Sequence, residues 1–163
     1  VFAIAELCLS GDNPAMSSAR LKTKLARFRE LEIADKWLLL SAVGWLAVAR
    51  LMLIVMPFDR LAARVSAKGN DLSAQPDPEF LTRVSFAVPA AANNVPWRSD
   101  CFPRAIAARM LLKRQGYEST IHLGVEKTSP DAVAGHAWVT SGETVVTGGE
   151  QVDRYVEIHR LGE

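Results

Sequence analysis

SDCFPRAIAARMLLKRQG, residues Ser99–Gly116, is the stretch on which the reading of this chain turns. Ser99 and Asp100 are residue types favoured at a helix N-cap. Pro103 suits a first helical turn, where a missing N–H removes no intrahelical bond. Ala105, Ile106, Ala108, Met110, Leu111 and Leu112 give the helix an apolar body. Lys113 and Arg114 fall near its C-terminus, where cations complement the helix dipole, and Gly116 is a plausible stop. Cys101 would then lie against the free N–H groups of a helix start, a position that favours the nucleophilic thiolate. Further along, AGHAWV (Ala134–Val139) puts His136 on an apolar, strand-like segment. A cysteine at a helix start and a histidine on a later strand are the two parts of a thiol nucleophile and its base.

Beyond Gly116 the pattern is β. STIHLGV (Ser119–Val125) is a strand candidate, and Lys127–Val133, with Pro130 and Asp131, reads as a loop. Gly135–Thr140 and Thr144–Thr147 flank the tight turn Ser141-Gly142-Glu143 and read as a hairpin. Gly148-Gly149 breaks it, and Arg154–Leu161 suggests a last strand. Before the cysteine helix, Glu79–Ala91 has helical apolar spacing. KGNDLSAQPDP (residues 68–78) is the clearest linker.

The N-terminal third is different again. Residues 1–20 combine an apolar stub with the turn cluster Ser-Gly-Asp-Asn-Pro. The stub lacks the basic leading region of a signal peptide. Met16 looks like a natural start, so residues 1–15 read as an upstream extension and Cys8 as chemically idle. Residues 20–36 pair a charged face with Leu21, Leu25, Phe28, Leu31 and Ile33, a pattern of a solvated amphipathic helix. WLLLSAVGWLAVARLMLIVMPF (Trp37–Phe58) approaches the length of a membrane span, with Arg50 as its only charge. A buried or partner-facing helix and a membrane-associated one both fit. Pro57 should end or kink it, and Phe58–Val65 could add a short amphipathic piece.

The 163 residues are enough for a real core, and 49% hydrophobic with 23% charged residues describes a globular chain. A net charge of +1 gives no electrostatic case for nucleic acid. Two distant cysteines and three dispersed histidines supply neither a disulfide framework nor metal-ligand spacing. Free thiols suit a reducing, cytoplasmic compartment. The expected organisation is an irregular extension over 1–18, a helical portion over 19–67, a linker over 68–78 and a catalytic domain over 79–163.

CFPRA (Cys101–Ala105), RQGY (Arg114–Tyr117), HLGV (His122–Val125) and HAWV (His136–Val139), in this order, resemble the transglutaminase-like leader peptidases of lasso-peptide biosynthesis. The resemblance runs from about Leu39 to Leu161. It implies an α+β fold: a papain/transglutaminase-like helix plus antiparallel sheet, preceded by an N-terminal helical portion. It implies a cysteine protease that removes the leader of a ribosomally made precursor through an acyl-enzyme, with no metal and no organic cofactor. Its partners would be the precursor peptide, a leader-recognition protein and an ATP-dependent macrocyclase, with peripheral membrane association left open. Carried over by residue, Cys101 is the nucleophile and His136 the base. The family's third residue, an Asp, falls where this chain has Gly148. Glu150 is the nearest acid and is taken as the third catalytic residue. Asp153, the Thr147 hydroxyl and a plain dyad are the alternatives. The oxyanion donors would be the Cys101 N–H and a group from Asn93–Arg98, with the Asn94 amide a candidate. Transglutaminase-type acyl transfer or deamidation, and a catalytically silent peptide-binding module, are the other functions open to the same residues.

Overall fold

The structure, a computed structural model, describes residues 28–67, 74–129 and 132–162. Readings that fall on residues 1–27 and 68–73, including Cys8, the extension and most of the linker, lie outside the described residues. Among the described residues, after a helical stretch at 28–30, four helices precede a four-stranded antiparallel sheet: α1 (Ile33–Val55), α2 (Phe58–Ser66), α3 (Pro78–Ala92), α4 (Cys101–Arg114), β1 (Thr120–Ser129), β2 (Ala132–Ser141), β3 (Thr144–Thr147) and β4 (Val156–Leu161). This is the expected α+β class with an N-terminal helical portion.

The helix ends follow local chemistry. Asp77 caps α3 by accepting from the Glu79 N–H at 3.0 Å, with Pro78 in the first turn. α4 stops at Gln115, and Gly116 then takes φ 78°, a left-handed conformation that costs glycine little. The Gly116 and Tyr117 N–H groups close back on the Lys113 and Leu112 carbonyls, which satisfies the carbonyls a helix end leaves open. α1 differs from the sequence reading at both ends. The amphipathic helix expected over 20–36 is interrupted at Leu31 and the extended Glu32, where Leu31 turns into the core. The apolar helix starts at Ile33 and stops at Val55. Met56 is extended, and Pro57, locked at φ −65°, opens α2.

The sheet order is β3-β2-β1-β4. The loop expected over Lys127–Val133 is instead mostly strand, because Lys127 pairs with Val133 and Ser129 with Ala132. Continuing the ladder gives these backbone groups partners that a loop would have to find in water. Arg154, expected in the last strand, belongs to a 3-10 segment, Gly149–Arg154. That segment carries the chain from β3 at one edge to β4 at the other.

One apolar core spans every layer, from Leu38 and Leu46 of α1 through Val84 and Val88 of α3 to Ile121 and Val139 of the sheet. α4 is its centre: Ala105–Arg109 are all buried, so neighbours surround the helix on all sides. α1 packs outside α3 and α4, burying Leu38, Leu39, Ala42, Leu46 and Ala49. Burying each of the larger side chains stabilises the fold by roughly 1.5–3 kcal/mol. At its start, Asp35 binds Arg83 of α3 through Nε at 2.8 Å and Nη2 at 2.6 Å.

Arg109 is buried without a carboxylate partner among the described residues. Its guanidinium donates to the Val65 carbonyl at 2.9 Å, the Ser119 hydroxyl at 3.4 Å and the Gly162 carbonyl at 3.5 Å. Burial pushes its pKa below the ordinary arginine value. Three segments distant in sequence thus meet on one side chain. Arg109→Met should lower the unfolding free energy by about 2–4 kcal/mol, because the acceptors it leaves are poorly reached by water. Urea denaturation measures this, and an unchanged midpoint would assign the three segments to apolar packing alone.

Candidate active site

Cys101 is the first residue of α4 and is partly exposed. Asp100 occupies the N-cap position, but its side chain makes no capping bond and lies 3.7 Å from Arg98 instead. No side chain therefore fills the start of the helix beside the thiol. The approach to it is held from within α4: Arg104 donates through Nε to the Ser99 carbonyl at 2.6 Å and through Nη2 to the Asn93 side-chain oxygen at 3.1 Å.

His136 lies on β2, opposite Gly124 of β1, while Trp138 lies opposite His122. Alternation puts His122, Trp138 and His136 on one face of the sheet, and Ala137 and Val139 on the face that enters the core. The rings stack in a row. His122 is 5.3 Å from Trp138 at 7°, Trp138 is 6.1 Å from His136, and His136 is 4.8 Å from Tyr155 at 28°. The His136 Nε2 lies 2.8 Å from the Gly148 carbonyl. A carbonyl oxygen can only accept, so His136 donates from Nε2 and the neutral ring keeps its lone pair on Nδ1.

β3 ends by pairing Thr147 with Val139, so beyond that point the edge of β2 has no strand partner among the described residues. There a cleft of about 240 Å³ opens, lined by Pro89, Cys101, Arg104, His136, Ala137, Thr147, Gly148 and Glu150. The helix start and the histidine strand thus meet at a sheet edge, and both side chains reach the same space. A thiol beside uncapped helix N–H groups and an imidazole of fixed tautomer are the equipment of nucleophilic acyl chemistry.

The other residues singled out in the sequence fall as follows. Glu150 lines the cleft, but among the described residues the polar partner of the His136 ring is the Gly148 backbone, not a carboxylate. Asp153 is exposed in the 3-10 segment. The Thr147 hydroxyl is buried and has no hydrogen-bond partner. The Asn94 amide donates to the Ala90 carbonyl at 2.7 Å, and Asn94 is not among the residues that line the cleft. His122 binds Thr140 Oγ1 at 2.8 Å and Glu157 at 3.2 Å and serves the sheet. His159 is exposed on β4. Among the described residues no cluster of histidine, cysteine and carboxylate side chains could hold a metal ion.

Sequence reasoning passed over Gly124, Tyr155 and the Gly148 carbonyl. A Cβ on Gly124 would fall 2.8 Å from the Trp138 ring and 2.9 Å from Tyr155 Cβ, so this glycine is what lets the stack close. Gly148, at φ 76°, turns its carbonyl toward the imidazole, and a Cβ there would meet the Ala137 oxygen at 2.7 Å. A period-2 pattern with glycine opposite the histidine hints at Gly124. Nothing local marks a backbone carbonyl.

Gly124→Ala should destabilise the protein by about 1–3 kcal/mol through overpacking and displace the His136 ring. Urea unfolding, with the His136 imidazole resonances as a second readout, checks both; unchanged resonances would dissociate the stack from the histidine. The Glu157 carboxyl is held below its ordinary value of 4.5, first by its hydrogen bond with Arg160 and then by His122. A depressed folded pKa contributes stability that is complete above that ordinary value and is lost as pH falls through the lower folded one. Glu157→Gln should therefore flatten the acid limb of the stability profile below pH 4.5 and leave its neutral slope alone.

Comparison with known proteins gives the family of the chain. No curated protein and no solved structure matches the chain. A family model described as the Transglutaminase-like superfamily matches residues 43–160, well over half of the chain and including every residue of the cleft. The protein belongs to the transglutaminase-like superfamily, whose members are commonly cysteine-based enzymes with a protease or acyltransferase type of fold.

Proposed function

We propose that this protein is a cysteine peptidase that removes the leader from a ribosomally synthesised lasso-peptide precursor. The observation that carries the reading is that Cys101, at an uncapped helix start, and His136, with Nε2 tied to Gly148, line one cleft at an open sheet edge. The finer assignment to lasso-peptide maturation rests on the resemblance of the CFPRA, HLGV and HAWV blocks.

In this mechanism the Cys101 thiolate attacks the carbonyl carbon at the end of the leader. The Cys101 N–H donates to the developing oxyanion. His136 holds the thiol proton and delivers it to the leaving amine, which frees the N-terminus of the core peptide. The leader remains as a thioester on Cys101. Water, deprotonated by His136, then releases it as a carboxylate. No metal or organic cofactor takes part. The Gly148 carbonyl keeps the imidazole tautomer, and the Glu150 carboxylate, on the rim of the same cleft, favours the imidazolium from a distance. A free amine is what an ATP-dependent macrocyclase needs, so that enzyme, a leader-recognition protein and the precursor are the proposed partners, in the cytoplasm.

Cleavage of a leader–core precursor, followed by mass, tests the reading. Cys101→Ala should abolish it, and His136→Ala should lower it by at least about 10³-fold. Glu150→Gln should cost less than about tenfold, because a group that only biases charge is worth less than one that transfers a proton. Asp153→Asn should be silent. A collapse in Glu150→Gln would restore a carboxylate to the orienting role. A product carrying a new amide bond, or a glutamine converted to glutamate, would move the chain to acyl transfer or deamidation. An intact precursor with Cys101 inert to alkylation would leave a binding module.

A further inference from the structure

We infer that the outer face of α1 is a docking surface for an anionic lipid bilayer, on which the protein lies rather than through which it passes. Ile33, Trp37, Leu40, Leu51, Ile54 and Val55 are 54–73% exposed. At 100° per residue they fall on one side of the helix, together with Gly44 and Ala47, with Lys36 the one polar residue at the margin of that sector. The strip runs the length of a helix about 34 Å long. Exposed apolar surface of this continuity is what a soluble monomer avoids.

The helix is long and apolar enough to cross a membrane. Its other side forbids that, because Leu38, Ala42, Leu46 and Ala49 are core and Asp35 is bound to Arg83 of α3. A helix packed on one side and greasy on the other belongs in the plane of an interface. Fluid acyl chains conform to a long apolar strip without the matched surface that a folded partner would need.

Charge selects the kind of bilayer. Lys36 and Arg50 edge the strip, and Arg60 and Arg64 are exposed on α2, the next helix. An apolar groove opens next to the strip, with the exposed Val48 of α1 on its lining. Met52, Met56, Met110 and Ile106 form its walls, with Arg64, Lys113 and Arg114 on its rim and no carboxylate among its lining residues. Among the described residues, neither Arg64 nor Arg114 is paired with an acid. An apolar floor with a cationic rim suits a phospholipid that carries a net negative charge. Cys101 and His136 line a separate cleft that shares no residue with this groove.

The test is co-sedimentation of the full chain with large unilamellar vesicles, of phosphatidylglycerol mixed with phosphatidylcholine in one arm and phosphatidylcholine alone in the other. The expected result is partitioning onto the anionic vesicles at least about tenfold above the neutral ones, weakened in about 0.5 M salt. Leu40→Glu/Leu51→Glu should lower that partitioning by at least about tenfold, with the unfolding midpoint unchanged because both side chains are exposed. Leu40→Gln/Leu51→Gln gives a second, uncharged pair with the same expectation. Arg64→Gln/Arg114→Gln should weaken binding to the anionic vesicles and leave the neutral arm alone. Parent protein that stays in the supernatant in both arms would overturn the proposal, as would both Leu40/Leu51 pairs binding like the parent. A dimer that Leu40→Glu/Leu51→Glu dissociates, without vesicle binding, would assign the face to a second copy of this chain. None of these outcomes bears on the peptidase reading, which cleavage of the precursor tests separately.

Discussion

The structure depends on the enclosure of α4. Residues Ala105–Arg109 are buried without interruption, which happens only when a helix has partners on every side. The sheet lies against one side, α3 and α1 against others, and Arg109 ties the remaining segments to it. Its alanines let the neighbouring backbones approach closely. A helix held in this way cannot slide or rotate, so the position of its first residue is set by the whole core. Cys101 is that residue. The thiol owes its placement to apolar packing about one to two turns further along the helix.

The second fixed point is made differently. His136 stands at a sheet edge where β3 has already ended, in a region that packing alone would leave loose. Three things hold the ring there: the stack with Tyr155 and Trp138, the empty space above Gly124, and the hydrogen bond to the Gly148 carbonyl. A carbonyl fixes the tautomer as well as a carboxylate does. It gives less to the imidazolium, because a dipole interacts with a cation more weakly than a full charge does. In the peptidase reading, this chain keeps the geometry of a triad while weakening the ion pair between thiolate and imidazolium. The cost would fall on charge separation rather than on alignment.

α1 joins two demands that are usually met by different elements. Its inner side is core and carries the Asp35–Arg83 link, while its outer side is continuous apolar surface flanked by cations. The fold therefore needs this helix for stability and leaves half of its apolar side chains without a protein partner among the described residues. A helix that is apolar all round gives no amphipathic pattern in sequence, and so gives no sign of which side faces in.

Much of the protein was legible in the sequence. The extent of α3 and α4, the break at Pro57 and the hairpin followed from local signals: capping residues, proline and glycine, and a change of apolar period; the α+β class followed from the family resemblance. Cys101 and His136 could be named because each sits in a recognisable local frame. Of the loop expected at Lys127–Val133, residues 127–129 and 132–133 are strand, since cross-strand pairing decides how far a hairpin runs and no single strand encodes it. The same limit applies to the histidine's partner. The sequence pointed to side chains, Glu150 first, because only side chains differ from residue to residue. The group 2.8 Å from Nε2 is a main-chain carbonyl, which every residue possesses and which only the path of the folded chain can aim. Local chemistry determined which elements form and which residues could react. Tertiary packing decided which face of α1 is hidden and which backbone atom orients the His136 ring, because both depend on contacts between segments far apart in the chain.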